Sequence, residues 1–150
     1  MFYYINIKSD TGKEIELDGR DGQSCANAIQ GLKIWIDTVD ENVNNRTSNV
    51  LNRVILRVSI NKNTKEACKC LMDWALASSG EDVYRLVHID IYDDKNVVRS
   101  FDLQKMFVED YYEEYEKGGS SQGTDAGILV LNLIQAANNS KNFLNDYNRL

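Results

Sequence analysis

The chain has 150 residues, enough for one domain with a real core, and it is 43% hydrophobic and 27% charged, like an ordinary globular protein. Its 23 acidic residues outnumber its 17 Lys and Arg, and the net charge of −6 argues against nucleic acid or an anionic membrane surface as a partner. No segment reaches the roughly 18 apolar residues that span a bilayer, and the start MFYYINIKSD lacks the features of a signal peptide. We therefore expect a chain that begins in the cytoplasm and does not insert into a membrane.

Short segments of alternating polarity predict a mainly β protein. Proline is absent, so the turns must come from the clusters of Gly, Asn, Asp and Ser that separate these segments. RVILRVSI (53–60) and VYRLVHIDI (83–91) place apolar residues at every second position, as half-buried strands do. Arg85 is the exception in the second row, and its stem is expected to pack while its charged head reaches water. The turn 93–96 then closes a hairpin into 97–103, and the whole pattern favours a barrel or two packed antiparallel sheets.

One segment has helical rather than strand periodicity. NTKEACKCLMDWALASSG spaces its apolar residues by three and four, which predicts an α-helix over about 64–79. Asn63 and Glu66 resemble a capping box at its start, and Gly80 is expected to end it. The apolar stripe indicates that this helix covers one side or end of the β core.

The segment GILVLNLIQA (127–136) is apolar on both faces. Its two rows are Ile128, Val130 and Ile134 on one side and three leucines on the other. Such a strand is buried on both faces, and one sheet face covers only one of the rows. The second row requires the helix, another loop or a neighbouring subunit, so this strand hints at oligomerisation.

The segment KMFVEDYYEEYEKGG (105–119) has four acids in the run from Glu109 to Glu114 and contains three tyrosines. Helical spacing would align Phe107, Tyr111 and Tyr115, but Tyr favours strands and the Gly pair suits a hairpin end. The apolar row also changes parity after Leu103, as a β-bulge near 104–105 would cause. We therefore favour a bulged strand, with its carboxylates on a charged face beside tyrosine packing.

The residues that could act in catalysis are not accompanied in the sequence by the partner residues and motifs that catalytic sites need. The acids at 109–114 are sequence neighbours, which does not establish the separated pair of a glycosidase. His88 and Asp90 share a strand face, but no nucleophile motif accompanies them. The loop 118–125 has the outline of a phosphate loop without its lysine, and 37–45 lacks the spacing of a calcium loop. Three cysteines and one histidine make a zinc site improbable, so we predict no enzyme activity, no cofactor and no metal.

The order of the later elements resembles a known family. LMDWALASS in a helix is followed by VYRLVHIDIYDDKNVVRSFDLQKMFVEDYYEEYEKG, a Gly-rich break and a last strand, GILVLNLIQA. This order resembles that of the Hcp family, the tube proteins of bacterial type VI secretion systems, over roughly residues 50–137. The N-terminal third matches that family only in its general strand content.

The resemblance implies a small β-barrel of two packed sheets with one flanking helix. It also implies homohexameric rings that stack into a hollow tube, with a sheath, a baseplate or spike and cargo effectors as further partners. Such a subunit waits in the cytoplasm and is exported through its own apparatus. In the family an extended loop between early strands makes the ring-to-ring contact, and here the corresponding residues are Asn42, Val43, Asn44, Asn45, Arg46 and Asn49.

The strand faces supply further candidates for subunit contacts. The apolar row of Ile128, Val130 and Ile134 suits a ring interface, because heterologous contacts bury two different patches on each subunit. Tyr112 and Glu114 on the acidic strand are candidates for the same contact or the tube wall. The alternative is a non-tube binding module of similar architecture, an adaptor or effector domain of a phage-tail-like particle, monomeric or of small oligomeric state.

Overall fold

The computed structural model describes residues 1–38, 50–78, 80–117, 126–136 and 143–144. The elements in chain order are β1 Phe2–Ser9, β2 Glu14–Asp18, β3 Ile29–Thr38, β4 Val50–Ser59, α1 Lys65–Ala75, α2 Gly80–Val83, β5 Arg85–Asp93, β6 Asn96–Glu116, β7 Ala126–Gln135 and β8 Phe143–Leu144. The prediction of a mainly β fold with a helix is confirmed. Among the described residues, no helix is long and apolar enough to cross a membrane.

All strands join one antiparallel sheet rather than two separate ones. Its order is β2-β1-β5-β6-β7-β4-β3, and β8 pairs with β6. The two halves of the sheet share β6, which pairs with β5 along its first part and with β7 along its second. The buried residues of both halves belong to one cluster, so the single sheet encloses one core. At one end Gly19, after β2, lies near Ile29 at the start of β3.

The inner face of the sheet is mostly apolar, with a few buried polar side chains such as Asn52 and Gln135. The alternation predicted for β4 and β5 is confirmed, because Val54, Leu56 and Val58 are buried on β4, and Val87 and Ile89 are buried on β5 with Ile91 partly buried. The inward rows continue in register from one strand to the next, as in Ile7 opposite Val87 and Leu131 opposite Leu56. Burial of this row, at about 1.5–3 kcal/mol for each large apolar side chain, is the main favourable term in the folding of the sheet.

The predicted bulge near Gln104 and Lys105 is confirmed. Between Leu103 and Met106 the strand β6 carries one residue more than β5, and Lys105 has a φ of 57°. The bulge frees the Gln104 carbonyl from the ladder, and the buried Gln135 side chain donates a hydrogen bond of 3.0 Å to it. The strand interpretation of this acidic segment is therefore correct, and the helical alternative is wrong.

The helix prediction is correct in place and wrong in its ends. Helix α1 ends at Ala75, and Gly80 begins the short α2 instead of stopping α1. We attribute the early end to a tertiary contact. The Trp74 indole donates a hydrogen bond of 2.8 Å to the Val83 carbonyl, which requires the chain to turn back after α1. The capping box does not form, because the N-cap is Thr64, whose hydroxyl donates to the Ser59 carbonyl instead.

The structure also tests the expected exposure of Arg85 on β5 and the expected two-faced burial of β7. Arg85 does not extend into solvent as expected: it is only 4% exposed, and its guanidinium lies against the ring of Trp74. Val83, expected in the same strand, belongs to α2. The two-faced burial of β7 is confirmed, since Leu129, Leu131 and Leu133 lie in the core while Val130 on the other face is also buried.

Candidate assembly surface

The sheet has two outer faces of different chemistry. We call the outward side of β2, β1, β5 and the first part of β6 the polar face; its side chains include Tyr4, Asn6, Glu14, Glu16, His88, Asp90, Ser100 and Asp102. We call the outward side of the second part of β6, β7, β4 and β3 the tyrosine face; its side chains include Tyr112, Glu114, Ile128, Val130, Asn132, Ile134, Arg53, Ile55, Arg57 and Trp35.

A second bulge in β6 divides the acidic run between two faces. Val108 pairs with Leu133 and Asp110 with Asn132, so Glu109 is an extra residue in β6. Beyond this point the odd residues of β6 oppose the inner leucines of β7. The even residues Tyr112 and Glu114 consequently join the tyrosine face.

The acids of the run bind tyrosine hydroxyls and an arginine. Glu113 accepts hydrogen bonds from Tyr115 at 2.6 Å and from Tyr111 at 3.1 Å. Burial and then this carboxylate raise the pKa of Tyr111 well above its usual range, which keeps the hydroxyl protonated and donating. Glu109 accepts from Arg53 at 2.8 Å. These carboxylates are thus committed to structural contacts.

Arg53 spans the strand β7. It lies on β4 directly opposite Ile134, and its guanidinium reaches Glu109 on β6 while also donating to Asp37 at 2.8 Å. The stem of the arginine therefore crosses Ile134, which is only 9% exposed. Ile134 therefore lies beneath the ion pairs that Arg53 forms with Asp37 and Glu109.

Four of the predicted interface residues lie together. Tyr112 pairs with Val130, and Glu114 pairs with Ile128, in one rectangle on the tyrosine face. Val130 is 2% exposed and is flanked across the ladder by Arg57. Tyr112 is 38% exposed, so it and Glu114 form the accessible part of this rectangle. The predicted loop residues Asn42, Val43, Asn44, Asn45, Arg46 and Asn49 lie outside the described residues.

Asn132 is a site residue that the sequence alone did not reveal. It lies between Val130 and Ile134 on the tyrosine face, opposite Ile55 and Asp110. Its Oδ1 is buried and accepts no hydrogen bond within the described part of the subunit. Such an orphan acceptor is unfavourable by about 1–3 kcal/mol and is unusual in a native structure. The only sequence signal was one polar residue within an apolar strand.

The polar face contains a histidine held between two carboxylates. His88 Nδ1 lies 2.7 Å from Asp102 Oδ1, and its Nε2 lies 2.9 Å from Asp90 Oδ2. Burial of the ring opposes protonation, but the hydrogen bonds to Asp102 and Asp90 together outweigh it and raise the pKa of His88. Both ring nitrogens face acceptors, so this geometry is that of the imidazolium.

The predicted His88–Asp90 contact forms, and it lies beside a buried serine. Ser100, the nearest hydroxyl of the cluster, is 0% exposed and donates to Asp90 at 2.6 Å. It therefore neither faces His88 as a nucleophile nor meets solvent. No group of three or more His, Cys, Asp or Glu side chains in the described ranges has the arrangement of a metal site.

Two further carboxylates of the polar face also accept hydrogen bonds within the subunit. Tyr4 donates to Glu16 at 2.8 Å, and Asn6 donates to Glu14 at 2.7 Å. At its margin Arg20 holds Asp18 with two hydrogen bonds, which lower the pKa of Asp18. The acids of the polar face named here are thus engaged within the subunit.

Comparisons with known proteins give a fold and no sequence family. No protein-family model and no curated protein sequence matches this chain. Among solved structures, the chain is similar to one in the cryo-EM structure of the anti-feeding prophage (AFP) baseplate, 6-fold symmetrised, with a TM-score of 0.50 and 14% sequence identity. The alignment covers 91% of this chain and 93% of that chain. The likeness shows a shared fold over nearly the whole of both chains.

Proposed function

We propose that this chain is a structural subunit of a contractile injection particle, of the kind that includes type VI secretion systems and phage tails. The observation that carries the proposal is the end-to-end likeness of its fold to a chain of a six-fold baseplate. In this role the subunit forms hexameric rings that stack into a hollow inner tube resembling Hcp. The tube conducts cargo and performs no bond chemistry.

The tyrosine face supports this role as a subunit contact. It combines an exposed tyrosine with an acid, two partly or fully buried aliphatic side chains and an orphan amide oxygen. Tyrosine is enriched in protein interfaces, where its ring supplies apolar contact area and its hydroxyl a hydrogen bond. In the ring, Tyr112 and Glu114 contact the adjacent subunit over Ile128 and Val130, while Ile134 supports the patch from beneath Arg53.

The internal use of the carboxylates supports a role without catalysis. Glu109 and Glu113 of the acidic run bind Arg53, Tyr111 and Tyr115, and Asp90 and Asp102 clamp His88. The particle's sheath, its baseplate or spike and its cargo are the further partners in this proposal. The subunit stays in the cytoplasm until the particle fires and requires no nucleic acid or membrane insertion.

A second candidate is a ring or adaptor of the baseplate that does not extend into a tube. The similar chain comes from the structure of a baseplate, and this origin favours the second candidate. The two candidates share the ring contact and differ in stacking. A tube subunit should polymerise at high concentration, whereas a baseplate subunit should stop at one ring or bind as a smaller oligomer.

Light scattering after size exclusion, followed by electron microscopy, tests both candidates. We expect a particle of six times the 17.1 kDa subunit mass and end-on views of six-fold rings. Long tubes would select the tube subunit, and single rings the baseplate subunit. A strict monomer at high concentration would contradict the ring proposal in both forms.

Deletion of Asn42–Asn49 separates ring formation from stacking. We expect the deletion variant to remain folded and to form rings that no longer stack, because this loop is proposed to make the ring-to-ring contact. Micrographs that still show long tubes from the variant would refute the assignment of the loop.

A further inference from the structure

Arg85 is a buried cation at the junction of α1, α2 and β5. It is 4% exposed, its Nε donates a hydrogen bond of 2.9 Å to the Asp82 carbonyl, and its guanidinium carbon lies 5.3 Å from the centre of the Trp74 ring. Burial lowers the pKa of Arg85, against the opposing effect of nearby Asp82, Cys70 and Asp73. An arginine nevertheless stays charged in a protein, so the fold holds a positive charge inside this junction.

The charge has no anionic partner in the described chain. No described carboxylate lies within ion-pair distance of Arg85, and among the described residues only its Nε has an acceptor. Arg85 lines a cavity of about 250 Å³ together with Lys13, Glu14, Ile15, Cys70 and Asp73. A buried charge is normally paired, and here the space beside it is open.

The other charged residues of the cavity are already engaged or lie at its rim. Lys13 binds Asp82 at 3.0 Å, and Glu14 accepts the amide of Asn6 at 2.7 Å. Asp73 is exposed on α1 and does not reach ion-pair distance. The two terminal nitrogens of Arg85 therefore remain as the unused donors of the cavity within the described residues.

We propose that Arg85 and this cavity form a binding site for a carboxylate. A carboxylate is a planar anion that takes two parallel hydrogen bonds from a guanidinium, and a buried arginine offers this fork in a fixed orientation. The cavity is smaller than most sites for drug-sized ligands and suits one carboxylate side chain or a small organic acid. Resting on the proposed function, the source is an acidic side chain of a second copy in the ring.

Acetate titration of the subunit tests the chemistry of the site. With ¹⁵N-labelled protein, the Arg85 Nε–Hε resonance should shift in a saturable way with sodium acetate and not with sodium chloride of equal ionic strength. The response in Arg85→Gln should disappear. Equal, unsaturated responses to both salts would overturn the proposal.

Two exposed variants keep the test independent of any effect of Arg85 on folding. Asp73→Asn removes a competing negative charge from the rim and should tighten acetate binding about fivefold, whereas Lys13→Gln should weaken it by a similar factor. Asp94→Asn, in the turn between β5 and β6, changes an acid outside the cavity and should leave the affinity unchanged. An affinity that is the same in Asp73→Asn, Lys13→Gln and the wild type would refute the site.

The source of the carboxylate is tested on the assembled protein. If a second copy supplies it, saturating acetate should disperse rings that the same ionic strength of chloride leaves intact. Rings that are indifferent to acetate, while the subunit binds it, would overturn the second copy as the source. If the wild type forms no rings, the proposed function fails, and the acetate titration still decides whether the site exists.

Discussion

The polar face and the tyrosine face belong to the same sheet and differ in how far their outward side chains find partners within the subunit. On the polar face the carboxylates of Glu14, Glu16, Asp90 and Asp102 find partners within the subunit, as in the His88 clamp between Asp90 and Asp102. The tyrosine face leaves an accessible tyrosine, a partly buried Ile128 and an orphan oxygen on Asn132. The difference teaches that a face which satisfies itself stabilises the subunit, whereas a face left incomplete is suited to a partner.

The largest expected effect is on assembly. Tyr112→Glu places a charge at the accessible centre of the tyrosine face and should weaken ring formation by at least about 30-fold, the scale of an interface hot spot. Leu86→Glu is the matched control, because Leu86 is also 38% exposed but lies on the polar face. Sedimentation measures both variants. Equal loss of assembly in the two would remove the distinction between the faces.

The His88 clamp predicts a stability that depends on pH. The folded state raises the pKa of His88 above the ordinary 6.5, so its contribution is fully present below about pH 6.5 and is lost as pH rises through the raised value. His88→Gln should therefore cost about 1 kcal/mol at pH 5.5 and less at pH 9. Urea unfolding at both pH values measures this difference.

The histidine also provides its own control. His88 is the single histidine of the chain, so an NMR titration reports its pKa without ambiguity. A pKa at or below 6.5, or a penalty for His88→Gln that does not change with pH, would contradict the clamp.

Asn132→Leu should stabilise the isolated subunit. The substitution removes the orphan oxygen at similar volume beside Ile55, and we expect a gain of about 1 kcal/mol in the free energy of unfolding. Ring formation should weaken at the same time if a partner satisfies this amide. Thermal unfolding of the dilute subunit and light scattering of the concentrated protein separate the two effects; a destabilised subunit would show that the amide is satisfied.

The smallest effect is expected at Gly127. A Cβ placed there lies 2.8 Å from Tyr115 Cε1, so Gly127→Ala must displace the tyrosine ring. The ring is largely exposed and can move, which limits the expected loss to about 0.5 kcal/mol. Gly80→Ala is the control, because a Cβ at Gly80 meets no neighbouring atom. Equal unfolding free energies for the two variants would argue against the packing of Tyr115 on Gly127.

Much of the sheet could be predicted from alternation, because burial of one face imposes a period of two on the sequence. The two-faced β7 and the bulge at Lys105 were readable for the same reason: each changes which positions are apolar. The pairing of His88 with Asp102 was not readable, since a register shift between Ile91 and Tyr92 moves the hairpin partner by one residue. Local turn residues do not reveal such an insertion.

The errors at α1 and Arg85 have one cause. The hydrogen bond from Trp74 to Val83 ends the helical path early and draws Arg85 beneath the chain, and it joins residues that no local pattern connects. A surface arginine and a buried one have the same sequence signature when burial depends on such a contact. The candidate surface was predictable only in part. The Asn132 Oδ1 lacks a hydrogen bond because no donor of β4, β6 or β7 reaches it, and the sequence does not show which donors lie nearby.

The strand β6 also has a mechanical consequence. Met106 is the one residue of β6 that pairs with both β5 and β7, through Arg85 and Gln135. A mechanical force that slides one half of the sheet past the other is therefore opposed by few main-chain hydrogen bonds at the Met106 position, where the two halves join. Resistance to such sliding must come from side-chain packing in the core, where the buried Met106 side chain lies between the two halves of the sheet.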